Sequence, residues 1–183
     1  MGVLVAAAVA WWWLGTADRA GSSDGLRRPE AIATSAGPAS DSPAVAYALA
    51  IRTLAGEVQG SRPVPVLYVL DRTCPDVMSG PPVDTDCDTP VPADLRRDIP
   101  AAVGSFSHVE FVDSADAVTG PDLETTKDGV LVMLGQARFA AGSGKIQLAA
   151  SKGELSGRGM TYELSYRDGR WQIRENEGFE WIS

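Results

Sequence analysis

A chain of 183 residues with a net charge of -8 and an isoelectric point near 4.6 lacks the basic stripe that a nucleic-acid partner demands. With roughly forty N-terminal residues set aside as anchor and linker, about 140 remain, one ordinary domain able to bury a core without metal or dense disulfides. Thirteen arginines stand against three lysines, a bias of GC-rich bacterial coding that speaks of codons and not of function.

Residues 2–15 carry no charge and end on Trp11, Trp12 and Trp13. As a helix, a run of this length reaches roughly 21 Å, short of the roughly 30 Å hydrocarbon core. The length suits a signal-peptide core, but no basic n-region precedes it. Short length and missing Lys/Arg together predict a further stretch upstream of Met1. Tryptophan favours the membrane–water interface, so the three rings read as the outer belt of a retained signal-anchor. Gly15-Thr16-Ala17 supplies small residues for signal peptidase, and cleavage near Ala17 would give a secreted protein. Ala6 occupies the place where myristoylation needs Ser or Thr, and no cysteine lies near the run for a lipoprotein thioether.

Residues 16–42 are rich in Gly, Ser, Ala and Pro without periodicity, the composition of a flexible linker. Ser42 and Pro43 then read as N-cap and first helical position. Tyr47, Ala48, Ile51, Leu54, Ala55 and Val58 recur at helical spacing until Gly60 stops the helix. Residues 64–70, V-P-V-L-Y-V-L, predict a strand with proline tolerated at its start. A second helix is expected over 93–103, with Leu95, Ile99 and Ala102 on one side and Pro100 interrupting or kinking it. Residues 108–112 alternate as a strand.

The C-terminal part is β by its turns. Strands are expected over 130–140 and 145–150, and a hairpin over 160–174 turns at Asp168-Gly169. Tyr166 would then face Trp171, Leu164 face Ile173 and Tyr162 face Glu175, putting the apolar pairs on one face. A last strand is expected over 179–182. The sum is α+β: one or two helices packed on a predominantly antiparallel sheet of five to six strands.

Cys74 and Cys87 are the only cysteines and share a Pro/Asp/Gly-rich loop. On the oxidising side of a membrane such a pair forms a disulfide. One histidine cannot complete a zinc set, and the spacing is not the redox C-x-x-C. Arg19, Arg27 and Arg28 would draw the linker side to the cytoplasm, but the disulfide argument outweighs these few charges and places residues 43–183 outside.

M-T-Y-E-L, D-G-R-W-Q-I and a terminal W-I-S, with A-I-R-x-L, V-L-Y-V-L-D and G-V-L-V-x-L-G upstream, resemble a group of uncharacterised small bacterial exported proteins. The resemblance spans roughly residues 44–183. These are core and turn patterns, so it implies a fold and brings no activity with it.

Candidate chemistry is sparse. His108, with Ser105 and Ser107 beside it, offers a base and nucleophiles but no G-x-S-x-G elbow. Asp84, Asp86 and Asp88 begin like a calcium loop, yet Thr89 and Leu95 stand where Gly and Glu belong. Asp71 and Glu110 are the carboxylates that glycoside chemistry would pair. Gly142-Ser143-Gly144 lies between strands with no helix to complete a phosphate cradle. No catalytic, cofactor or metal site is assigned, and the reading leans away from an enzyme. The chain is expected to be a membrane-tethered extracytoplasmic binding or interaction module, its one assigned partner the membrane. The alternatives are a sensor ectodomain whose cytoplasmic part lies upstream, and a carboxylate hydrolase.

Overall fold

The computed structural model describes residues 37–60, 62–75, 77–78, 87–119, 128–152 and 156–182. The apolar run with Trp11, Trp12 and Trp13, and the linker up to residue 36, lie outside the described residues. So do Asp84 and Asp86.

Helix α1, Pro43–Gln59, starts where the sequence places it. Ser42 has the extended backbone of an N-cap, Pro43 supplies the first helical residue, and Gly60, at φ 70°, closes the last turn through its N–H on Gly56 O. Proline costs nothing there because that N–H has no helical acceptor. The buried arc includes the expected Tyr47, Ala48, Ile51, Leu54 and Ala55, and also Ala46 and Ala50. It is wider than one stripe because α1 packs both on the sheet and against α2, Ala93–Val103. Pro100 lies within α2 without interrupting it, and the Gly104 N–H caps the helix on Pro100 O.

One sheet carries β1 (Val66–Thr73), β2 (Thr89–Pro90), β3 (His108–Val112), β4 (Val130–Ala140), β5 (Ser143–Ser151), β6 (Ser156–Arg167) and β7 (Arg170–Ile182). Their order is β2-β1-β4-β5-β6-β7, with β3 also on β1. Four of the six pairings are antiparallel, and β1 runs parallel to β3 and β4. The fold is α+β, with two helices on a mostly antiparallel sheet.

Among the described residues there are seven strands where five to six were expected. The two-residue β2 returns from the cysteine loop, too short to leave a periodic signal. Residues 179–182 are no separate strand but the continuation of β7. The parallel pairings are new as well. A crossover containing α2 joins β1 to β3, as parallel neighbours require. The apolar runs at 66–70 and 130–134 are the mark of strands covered on both faces, and Val130, Leu131, Val132, Met133 and Leu134 are all buried.

The hairpin keeps two of its three expected pairs: Tyr166 faces Trp171 and Leu164 faces Ile173. Tyr162 faces Asn176 and not Glu175, because a bulge opposite the Glu163–Leu164 step adds a residue to β7. The extra residue matters for charge. It moves Glu175 opposite Glu163, which meets Lys145 Nζ at 3.0 Å, and leaves the uncharged Asn176 opposite Tyr162. Tyr162, Leu164 and Trp171 are buried, with Tyr166 and Ile173 partly buried beside them.

Each sheet face has its own cover. Leu67, Val69, Val132, Leu134, Ile146 and Leu148 meet the helices. Tyr68, Leu70, Leu131, Met133 and Ala149 meet Cys74, Val77, Val112 and Val118. Cys74 and Cys87 are bonded across a separation of 13 residues. The Cys74 N–H donates to Leu134 O at 2.8 Å, and Val77 lies so close over Gly135 that a Cβ there would stand 2.5 Å from its Cγ2. The disulfide therefore holds down a lid of the second core layer. Replacing both cysteines by alanine should lower the unfolding free energy by about 3 kcal/mol, the chain-entropy value for such a loop. Urea unfolding with and without reductant measures it; equal midpoints would show that the bond adds nothing.

Candidate functional site

Two hairpin turns meet at one end of the sheet. Asp168 and Gly169 have φ of 53° and 75°, the left-handed pair that a tight turn matching strand twist requires. The turn between β4 and β5 uses Gly142 at φ 70°. The turns lie side by side because β5 pairs with β6, Ser143 opposite Ser165, and the Tyr166 N–H donates to Gly142 O at 2.9 Å. The chain enters α1 over this same end. The Ser42 N–H closes a turn on Ala39 O, and the Ser40 and Tyr166 hydroxyls lie 2.7 Å apart. The end of the sequence-assigned linker is thus seated on the domain.

Between these segments lies a cleft of about 430 Å³, lined by Asp41, Pro43, Phe139, Gly142, Tyr166 and Trp171 among others. Its rings form a chain: Tyr47 to Phe139 at 6.0 Å, Phe139 to Trp171 at 6.1 Å and Trp171 to Tyr166 at 5.5 Å between centroids. The contacts are tilted or edge-on, the arrangement that ring quadrupoles favour. Phe139 lies against Gly144, where a Cβ would come within 2.9 Å of the ring.

Phe139 is 36% exposed, the one large hydrophobic with an open surface among the described residues. Trp171 beneath it is only 8% exposed, and its indole N–H has no hydrogen-bond partner. Burial pushes the Tyr47 phenol up to about 12. It pushes the fully buried Tyr162 phenol up too, aided by Glu57, whose carboxylate pairs with Arg158 at 3.2 Å. The cleft presents aromatic surface, the Tyr166 hydroxyl and the exposed Asp41 carboxylate. It suits adsorption of a partly apolar partner, and no nucleophile is activated in it.

The remaining sequence candidates do not converge. His108, Ser105 and Ser107 share a hollow of about 510 Å³ elsewhere, lined by Pro63, Pro65, Pro100 and Phe106 but by no carboxylate. The Ser107 hydroxyl donates to the backbone of His108 at 3.2 Å, so its proton is not offered to the imidazole. Asp71 and Glu110 sit on opposite faces of the sheet. Asp71 turns to α2, with Arg96 Nη1 at 3.7 Å, whereas Glu110 is in register with Tyr68 on the far face. Strand alternation separates them, so they cannot flank one bond. Asp88 accepts from the Thr89 hydroxyl at 3.0 Å. Among the described residues no three of His, Cys, Asp and Glu gather as a metal set.

Sequence reasoning missed Phe139 and Asp41. Phe139 continues the strand alternation like any core residue, and its exposure follows from what does not cover it. Comparison with protein-family models, with curated proteins and with solved structures finds no match to this chain.

Trp171→Ala should cost roughly 3–5 kcal/mol, as truncation of a buried aromatic does, whereas Phe139→Ala should stay near 1 kcal/mol or below. Thermal melts of the two variants compare them, and equal losses would contradict the burial difference. Alkaline titration reads the tyrosines. A phenol with a raised folded value adds stability that is complete below the unfolded value and lost as pH climbs through the folded one. Stability should therefore fall from about pH 10 upward as Tyr47 approaches about 12, with phenolate absorbance lagging behind that of the unfolded chain.

Proposed function

We propose that the chain is a membrane-tethered extracytoplasmic domain that works as a binding or interaction module through the aromatic cleft. The observation that carries the reading is the exposed Phe139 beside Asp41 and Tyr166, at the point where the N-terminal segment joins the domain. The Cys74–Cys87 bond supports an oxidising compartment. The uncharged run ending in Trp11, Trp12 and Trp13 supports an interfacial anchor. No helix among the described residues is long and apolar enough to cross a membrane. The likeness to small bacterial exported proteins belongs to the same reading.

Cell fractionation tests the tether. The full chain should resist alkaline carbonate extraction, and protease added outside should remove the domain. Trp11→Ser, Trp12→Ser and Trp13→Ser together should weaken retention. Release by carbonate would remove the anchor, and protection from external protease would reverse the topology. Hydroxyl-radical footprinting tests the cleft: Phe139 should oxidise more slowly in native membranes than in the purified chain. Equal rates would leave the cleft without a partner.

A further inference from the structure

We infer that the aromatic cleft is a binding site for a small organic cation, an ammonium group on an apolar body, with the Asp41 carboxylate facing the charge and Phe139, Tyr166 and Trp171 forming the walls. The inference rests on the binding-module reading and names the ligand class of its site.

Charge decides between ligand classes. Asp41 is the one charged residue in the lining, and among the described residues its carboxylate has neither an ion pair nor a hydrogen-bond partner. The backbone on either side of it is held: the Ser40 hydroxyl lies 2.7 Å from that of Tyr166, and the Ser42 N–H closes a turn on Ala39 O. The exposed arginines of this end turn away from the cleft. Phe139 meets Tyr47 and Trp171 on the helix side of the sheet. Strand alternation puts Arg138, opposite Lys145, and Arg167, opposite Arg170, on the other face. The start of α1 offers an anion little in exchange. Pro43, in the lining, has no N–H, and the Val45 and Ala46 N–H groups donate to Ser42 O.

The walls suit a cation as well. An aromatic ring carries negative potential on its face, and cations are drawn to it, most strongly at tryptophan and tyrosine. The Phe139 and Trp171 planes are inclined at 71° and those of Tyr166 and Trp171 at 61°. The rings therefore meet as the sides of a hollow and do not close on one another as a stack. Phe139, at 36% exposure, is the side left open.

Size and lining are those of a small-molecule site. The cleft holds about 430 Å³, and such sites are mostly apolar and aromatic with a few polar groups that fix orientation. Here those groups are the Asp41 carboxylate and the Tyr166 hydroxyl. A neutral ligand of the same shape would leave the carboxylate without a partner, and an anion would face it directly. The net charge of -8 acts in the same sense, since an acidic protein gathers cations at its surface and thins out anions.

The test titrates the full chain, in an uncharged maltoside detergent, with ligands of nearly one shape: choline, its neutral carbon isostere 3,3-dimethyl-1-butanol, and the 3,3-dimethylbutanoate anion. Magnetic resonance of ring-labelled phenylalanine reads binding, since the chain has four phenylalanines and Phe139→Leu assigns the signal. Choline should shift the Phe139 signal with a Kd roughly tenfold below that of the alcohol, and the anion should leave the signal unmoved. Asp41→Asn should weaken choline by about fivefold without lowering the melting temperature. Arg138→Gln, on the other face, should change nothing. Equal affinities for choline and the alcohol, or choline binding indifferent to Asp41→Asn, would overturn the cation site and leave the cleft standing as an apolar one. A Phe139 signal that none of the three moves would overturn it too, and the footprint of Phe139 in native membranes then judges the binding-module reading separately.

Discussion

The fold depends on β4 being buried on both faces. Its first half, Val130 through Leu134, is the junction where the parallel strands β3 and β1 meet the antiparallel run of β5, β6 and β7. Val130, Val132 and Leu134 point to the helices, and Leu131 and Met133 to the disulfide lid. Neither cover alone would take this strand out of water. Burial of β4 therefore needs both layers in place.

The second half of β4 answers a different demand. After the irregularity between Leu134 and Ala137 the strand is less covered, and Gln136, Arg138, Phe139 and Ala140 are exposed. A strand that is core at one end and surface at the other carries the rigidity of the first into the second. The pole with Phe139 is built on two paired hairpins. α1 reinforces it, since its first turns lie over the same end and Tyr47 reaches the Phe139 ring.

Several carboxylates of the described residues are paired on the surface of the domain. Asp71 is spent on Arg96, Glu57 on Arg158 and Glu163 on Lys145. Such pairs in solvent contribute little to stability, but they neutralise carboxylates that an acid–base centre would need to keep apart and poised. Ser107 hands its proton to the backbone. The aromatic surface around Phe139 and the exposed Arg138, Arg167 and Arg170 stay outside these pairs.

The sequence by itself determined what local chemistry can specify. Ser42-Pro43 and Gly60 bounded α1, Asp168-Gly169 turned the last hairpin, and the spacing of Tyr162, Leu164, Tyr166, Trp171 and Ile173 chose its buried face. It also named the Cys74–Cys87 pair, because two cysteines admit one bond. The tertiary structure alone decided the rest. The bulge that exchanged Glu175 for Asn176 opposite Tyr162 depends on strand twist across β6 and β7. The parallel neighbours of β1 follow from the path of the crossover, which no local period encodes. Asp71 and Glu110 parted to opposite faces only when β1 and β3 were placed in register. Phe139 stayed partly open although the Tyr47 and Trp171 rings lie against it. Periodicity states that a side chain alternates; burial depends on what the other elements bring to lie above it.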